Sequence, residues 1–100
     1  NALPDAPTTP ELQLRTAEGE NFRMVEELKR TAKFPGASDV ITIDGVRVEY
    51  PDGFGLARPS NTTPVVVLRF EADTPAALSR IQNDFRRAIL AVKPGVKLPF

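Results

Sequence analysis

The stretch "DVITIDGVRVEYPDGFGLARPSNTTPVVVLRFEA", residues 39–72, decides the fold. Apolar and polar residues alternate along it between turn signals, the period of half-buried strands. Asp44-Gly45 predicts a two-residue type I′ hairpin loop. Such a loop pairs Ile43 with Val46 and Ile41 with Val48, so these four share one face and Thr42, Arg47 and Glu49 take the other. "YPDGF" predicts a second turn, with Pro51 presetting its backbone and Gly53 tolerating positive φ, and Phe54 and Leu56 start the next strand. Beyond "RPSNTTP" a last strand points Val66, Leu68 and Phe70 one way and Val65, Val67, Arg69 and Glu71 the other.

Upstream, "ELQLRT" alternates Leu12 and Leu14 against Gln13 and Arg15, a further half-buried strand. After "GEN", Asn21 is a candidate N-cap for a helix that carries Val25, Leu28 and Ala32 on one face, flanked by Phe22 and Met24. "FPG" ends that helix: proline disfavours helical geometry at Phe34, and Gly36 suits a left-handed cap. Downstream, Thr74 or Asp73 caps a second helix with Pro75 at its first position. Leu78, Ile81, Phe85, Ala88, Ile89 and Val92 form its apolar stripe, and Arg80, Asp84, Arg86 and Arg87 stay outside.

Strand, helix, three strands, helix is the expected order, βαβββα. The fold class is α+β, a two-layer sandwich with a mainly antiparallel four-stranded sheet and two helices on one face. The other sheet face carries Gln13, Arg15, Thr42, Arg47, Glu49, Arg69 and Glu71, and is expected to meet solvent or another domain. The opening "NALPDAPTTPE", with Pro4, Pro7 and Pro10, reads as an extended interdomain linker over residues 1–10, which leaves 11–100 as the folded domain. A linker there hints at something larger ahead of it, and Asn1 rather than Met first fits a mature protein or a cut fragment.

One hundred residues make one modest core. Thirteen basic side chains cancel thirteen acidic ones, so neither nucleic acid nor a membrane surface is an expected partner. Cysteine, histidine and tryptophan are absent. A Cys/His zinc site, a thiol nucleophile and a Ser–His–Asp triad are therefore excluded. The lack of cysteine fits a reducing compartment.

The segment that could carry chemistry is "RPSNTTP", residues 58–64. Arg58 offers a fork of donors matched to phosphate or carboxylate oxygens. Ser60, Thr62 and Thr63 add hydroxyls, Asn61 an amide, and Pro59 and Pro64 stiffen the chain. The alternatives are an oxyanion-binding loop and an ordinary polar turn with one exposed arginine. Asp44 and Asp52 read as turn residues, Tyr50 as a half-buried anchor, and "GFG" lacks the strand–turn–helix setting of a phosphate loop. No catalytic residue and no metal ligand emerges.

The run "DGVRVEYPDGFGLARPSNTTPVVVLRFEADT", 44–74, resembles the C-terminal domain (the fourth) of the α-D-phosphohexomutases, in particular the bacterial phosphomannomutase/phosphoglucomutase branch. The Asp-Gly-Val-Arg strand, the Gly-Phe-Gly lead-in, "RPSNTTP" and "VLRFEA" occur in that order and spacing. The resemblance implies a TATA-box-binding-protein-like fold and a loop in which Arg58, Ser60, Asn61 and Thr62 bind the phosphate of a phosphosugar. Many relatives read Arg-x-Ser-Gly-Thr-Glu-Pro, whereas this chain has Asn61 and Thr63. It further implies a cytoplasmic bacterial parent enzyme, with Mg²⁺ as its cofactor and none in this domain. That parent would interconvert mannose or glucose 1- and 6-phosphates through a bisphosphorylated intermediate. The partners are then the phosphosugar and the other three domains of the parent, and the isolated domain is a lid that is not itself catalytic. The alternative is a non-catalytic protein-interaction or regulatory module that uses the charged sheet face.

Overall fold

The computed structural model describes residues 11–34, 36–43, 45–98 and 100. The expected linker, the Asp44 half of the hairpin loop and the helix-stopping Pro35 lie outside the described residues. Seven elements follow in order: β1 (Leu12–Arg15), α1 (Glu20–Thr31), β2 (Asp39–Ile41), β3 (Val46–Tyr50), β4 (Gly53–Pro59), β5 (Val65–Ala72) and α2 (Pro75–Val92). The sheet has five strands, ordered β1-β5-β4-β3-β2, and every neighbouring pair is antiparallel. The expected α+β class holds with five strands rather than four, because each arm of the hairpin counts as a strand, the first being the short edge strand 39–41.

Both helices pack on one face of the sheet. The alternation of β5 sends Val66, Leu68 and Phe70 inward, each at most 1% exposed, against Ile81, Phe85 and Ile89 of α2 and Met24, Val25 and Leu28 of α1. Phe85 is the hub: its ring centroid lies 4.9 Å from that of Phe34 and 5.3 Å from that of Phe70. Phe85 packs flat against β4 only because position 55 is glycine, since a Cβ there would collide with the ring. Helix α2 begins as its sequence predicts, with the Ala77 N–H donating to Thr74 Oγ1 at 3.1 Å and Pro75 at the first position. Pro75 has no N–H to leave unsatisfied there.

Three expectations are corrected. The first concerns the hairpin, in which Val40 faces Val48 and Ile41 faces Arg47, one residue out of the expected register. Ile43 is 83% exposed, and Ile41 moves to the Arg47 face. The second concerns Asn21, which is no N-cap. Gly19 takes that place with φ 82°, a left-handed conformation open to glycine, and Asn21 lies inside the helix, buried. Its neighbour Phe22 turns outward instead. The third concerns Asp84, which is buried rather than outside and accepts a hydrogen bond from the Tyr50 hydroxyl at 2.7 Å.

The open sheet face carries Gln13, Arg15 and Arg69 exposed, as expected. Arg47 is tied down there, bonded to Glu49 at 2.5 Å and lying over the Phe54 ring at 4.4 Å.

Candidate functional site

The loop "SNTTP", 60–64, joins β4 to β5 at one end of the sheet. Strand β4 runs on through Arg58 and Pro59, which pair with Val67 and Val66, so Arg58 stands on regular backbone rather than in the loop. The Ser60 N–H donates to Val65 O at 3.0 Å and the Val65 N–H to Thr63 O at 2.8 Å, closing the base of the loop. Thr16, after β1, braces it from the side: its N–H and Oγ1 both donate to Pro64 O, at 2.8 and 2.9 Å.

Ser60 Oγ is a point of convergence. The N–H groups of Thr62 and Thr63 each lie 3.3 Å from it, the Thr63 hydroxyl 3.1 Å, and the Thr62 hydroxyl 3.3 Å. N–H to O distances of 3.3 Å are long, so these contacts are weak and exchangeable for a stronger acceptor. Two backbone donors and three hydroxyls thus share a patch a few ångströms across.

The residue that sequence reasoning missed is Asn21. Its side-chain nitrogen, on a residue 1% exposed, donates to Ser60 O and Val65 O at 3.0 Å each and to Thr63 O at 3.3 Å. The signal was present: Asn21, Val25, Leu28 and Ala32 repeat at helical spacing, which puts a polar residue on the buried face of α1. The preference of asparagine for N-caps hid it. Glu20, beside it, accepts from the Ala17 N–H at 2.9 Å and from Lys93 Nζ at 2.8 Å. The Lys93 bond is the larger cause holding this carboxyl below the usual glutamate range, with the Ala17 bond second.

The four predicted site residues are brought to one corner but not into one hollow. Ser60, Asn61 and Thr62 border a recess of about 110 Å³ with Gly19 and Glu18. Arg58 and Asn61 border a second, larger one of about 440 Å³ with Lys29 and Glu26. Asn61 stands on the divide. Glu18 makes the smaller recess unwelcoming to an anion. In the larger one Lys29 is already paired with Glu26 at 2.9 Å, whereas Arg58 has no ion pair or side-chain hydrogen bond among the described residues. Also among the described residues, no three Asp, Glu, His or Cys side chains gather to hold a metal, and no helix is long and apolar enough to cross a membrane.

Comparison with known proteins meets this geometry. The family described as "Phosphoglucomutase/phosphomannomutase, C-terminal domain" matches residues 11–88. A phosphoglucomutase of Neisseria meningitidis serogroup A is 54% identical over 100 residues, 99% of this chain and 22% of that protein. A phosphomannomutase/phosphoglucomutase of Pseudomonas aeruginosa is 47% identical over 100 residues, all of this chain and 21% of that protein. The crystal structure of a phosphoglucomutase/phosphomannomutase family protein from Burkholderia thailandensis superposes with a TM-score of 0.87 at 65% identity, covering 98% of this chain and 20% of that one. The chain therefore spans about a fifth of the length of the relatives it matches. A family match over the whole folded sheet and most of α2, with relatives near half identical from end to end, means that this chain belongs to the phosphoglucomutase/phosphomannomutase C-terminal domain family.

Proposed function

We propose that this chain is the substrate-phosphate-binding lid of a phosphohexomutase, in which Arg58, Ser60, Asn61 and Thr62 hold the phosphate of a glucose or mannose phosphate. One observation carries the proposal: Arg58 is exposed with no ionic partner among the described residues, beside a loop whose backbone is already braced from two sides. Arg58 supplies charge in the fork geometry that phosphate matches. The weak contacts at Ser60 Oγ leave the Thr62 N–H and the nearby hydroxyls ready to turn to a phosphate oxygen. The phosphate sits on the Arg58 side of Asn61, away from Glu18.

The parent enzyme interconverts 1-phospho and 6-phospho sugars through a bisphosphorylated intermediate that turns around between half-reactions. A loop that holds phosphate rather than one face of the sugar serves both orientations. Closing over the substrate, the lid also keeps water from it. Residues 1–10 are the linker on which it swings, and residues 11–100 are the lid. The Mg²⁺ of the parent is assigned, in this reading, to its other three domains. The bacterial cytoplasm is the expected compartment.

The test is a backbone amide NMR titration with glucose 1-phosphate, with glucose as control. Shifts confined to residues 58–63, seen with the phosphosugar alone, are the expected result. Arg58→Ala weakens binding on the order of tenfold or more, the share of a charged hydrogen-bond pair. Arg86→Ala, whose side chain lies over Phe100 on α2, leaves binding unchanged. Equal behaviour of the two variants overturns the proposal.

A further inference from the structure

We propose that Asn21 is a positioning residue for the anion loop: its buried amide holds the backbone of residues 60–65 in its binding shape before a phosphate arrives. The proposal rests on the phosphate-binding role of the loop given above and deepens it.

Three main-chain carbonyls, those of Ser60, Thr63 and Val65, face one side-chain nitrogen from 39 to 44 residues away in the chain. Carbonyls only accept, so the nitrogen and not the oxygen of the amide must point at them. An amide nitrogen has two protons. The two shorter bonds, to Ser60 O and Val65 O at 3.0 Å, take one each, and Thr63 O at 3.3 Å shares. The amide nitrogen of Asn21 is thus fully committed to the loop, and the residue sits in the first turn of a helix that packs its next turns, Met24, Val25 and Leu28, into the core. Thr16 holds the Pro64 end of the loop, and this one side chain fastens the rest of it to helix α1.

The consequence for binding follows from peptide planarity. Among the described residues no peptide bond is cis, so in each peptide unit the C=O and the following N–H point in opposite directions. With the Ser60 carbonyl drawn in toward Asn21, the Asn61 N–H must point outward. That N–H makes no hydrogen bond among the described residues, and Asn61 borders the recess that Arg58 lines. Asn21 therefore sets the direction of a free backbone donor on a residue that shares a recess with Arg58, although Asn21 lies behind the loop and does not border that recess. Without the amide, the Ser60–Asn61 peptide is free to rotate, and the ligand must bear the cost of ordering it.

The experiment uses Asn21→Leu, of similar size but without donors, and Asn21→Gln, which keeps the amide one methylene further out. Two quantities are read on this chain: ¹⁵N order parameters without ligand, and the glucose 1-phosphate titration. In the unchanged chain Asn61, Thr62 and Thr63 are expected near the rigid-backbone value of about 0.85. In Asn21→Leu they fall toward about 0.6 while Leu68 and Phe70 of β5 stay rigid, and phosphosugar binding weakens on the order of tenfold, about 1.4 kcal/mol. Asn21→Gln lies between. Loss of order in β5 as well as the loop, in both variants, overturns the proposal in favour of a general structural role. So does an unchanged affinity in Asn21→Leu when Arg58→Ala has lost binding. A chain in which neither Arg58→Ala nor Asn21→Leu alters the titration overturns the phosphate role of the loop itself, and this proposal with it.

Discussion

Strand β4 has two ends, and they treat their arginines in opposite ways. At its start, around the 51–52 turn, Arg80 of α2 bonds Asp52 at 2.5 Å and lies over the Tyr50 ring, and Arg87 reaches Asp84 at 3.2 Å. Arg80 and Asp52, and Arg87 and Asp84, find their counterparts within the chain there. At its finish Arg58 finds none among the described residues, and the adjoining loop carries long, weak contacts. The same side-chain chemistry closes a structure at one end and is held in reserve at the other. An arginine kept free beside a braced loop is the arrangement a phosphate site needs, and an arginine consumed by a turn aspartate is not.

The largest effect is expected midway between the two ends, where Gly55 lets β4 lie against Phe85. Gly55→Ala drives a methyl group into a ring that is fully buried and already packed on Phe34 and Phe70. Overfilling of this kind costs about 1–3 kcal/mol, read as a lower urea midpoint. A second change, Phe85→Leu, should restore part of the loss, because the two residues are in contact and their effects do not add. If amide shifts from Gly55→Ala reach both Asp52 and Ser60, the ends share one scaffold. Shifts at one end alone would mean that they are independent.

The next effect belongs to the closed end. Tyr50→Phe removes the donor that Asp84 holds at 2.7 Å inside the protein. Leaving a buried acceptor short of a partner costs about 1–2 kcal/mol, and phosphosugar binding at the far end should not change. The same residue gives an alkaline signature. Burial first, and then the bond to Asp84, push the phenol well above its ordinary range. A raised pKa means that the folded state holds the proton more tightly than the unfolded one. Its stabilisation is therefore complete below about pH 10 and is lost as pH climbs beyond that, toward the folded value. Urea unfolding followed upward from pH 9 should show this decline in the parent chain and not in Tyr50→Phe.

How much of this was legible in the sequence depended on how much was buried. Strand β5 and helix α2 could be read directly, because Val66, Leu68 and Phe70 at period two and Ile81, Phe85 and Ile89 at helical spacing each have a full core to face. The hairpin register could not. "VITI" offers an apolar residue to either face, and at the sheet edge Val40 and Ile41 remain 45% and 36% exposed, so burial decides little between the two registers. Asp84 was misplaced because its partner, Tyr50, is 34 residues away, a pairing that helical periodicity does not encode. The sequence singled out Arg58, Ser60, Asn61 and Thr62 by residue type, and the structure puts them at one corner. Their division between two recesses, and the brace behind them, needed three dimensions.

The smallest expected effect distinguishes the ends most finely. Glu20 and Asp52 both have carboxyls held below the ordinary range, the first by Lys93 and then the Ala17 N–H, the second by Arg80. A lowered pKa stabilises the fold above the unfolded value, about 4, and that contribution fades as pH falls through the folded value. Both groups meet solvent, so each contribution is small and weakens with salt. Glu20→Gln and Asp52→Asn should each narrow the stability gap between pH 7 and pH 3, measured by urea unfolding at low ionic strength. They should differ in reach. Glu20 ties the start of α1 to Lys93 beyond α2, and the next residue is Asn21. Loosening that tie is felt at the loop, as lower order parameters for residues 61–63. The Asp52 carboxylate bonds Arg80 and its carbonyl accepts from the Asp73 N–H, both at the closed end, so the effect of losing that carboxylate stays there. Should Asp52→Asn loosen the loop as much as Glu20→Gln does, the brace behind residues 60–64 is the whole sheet and not the first turn of α1.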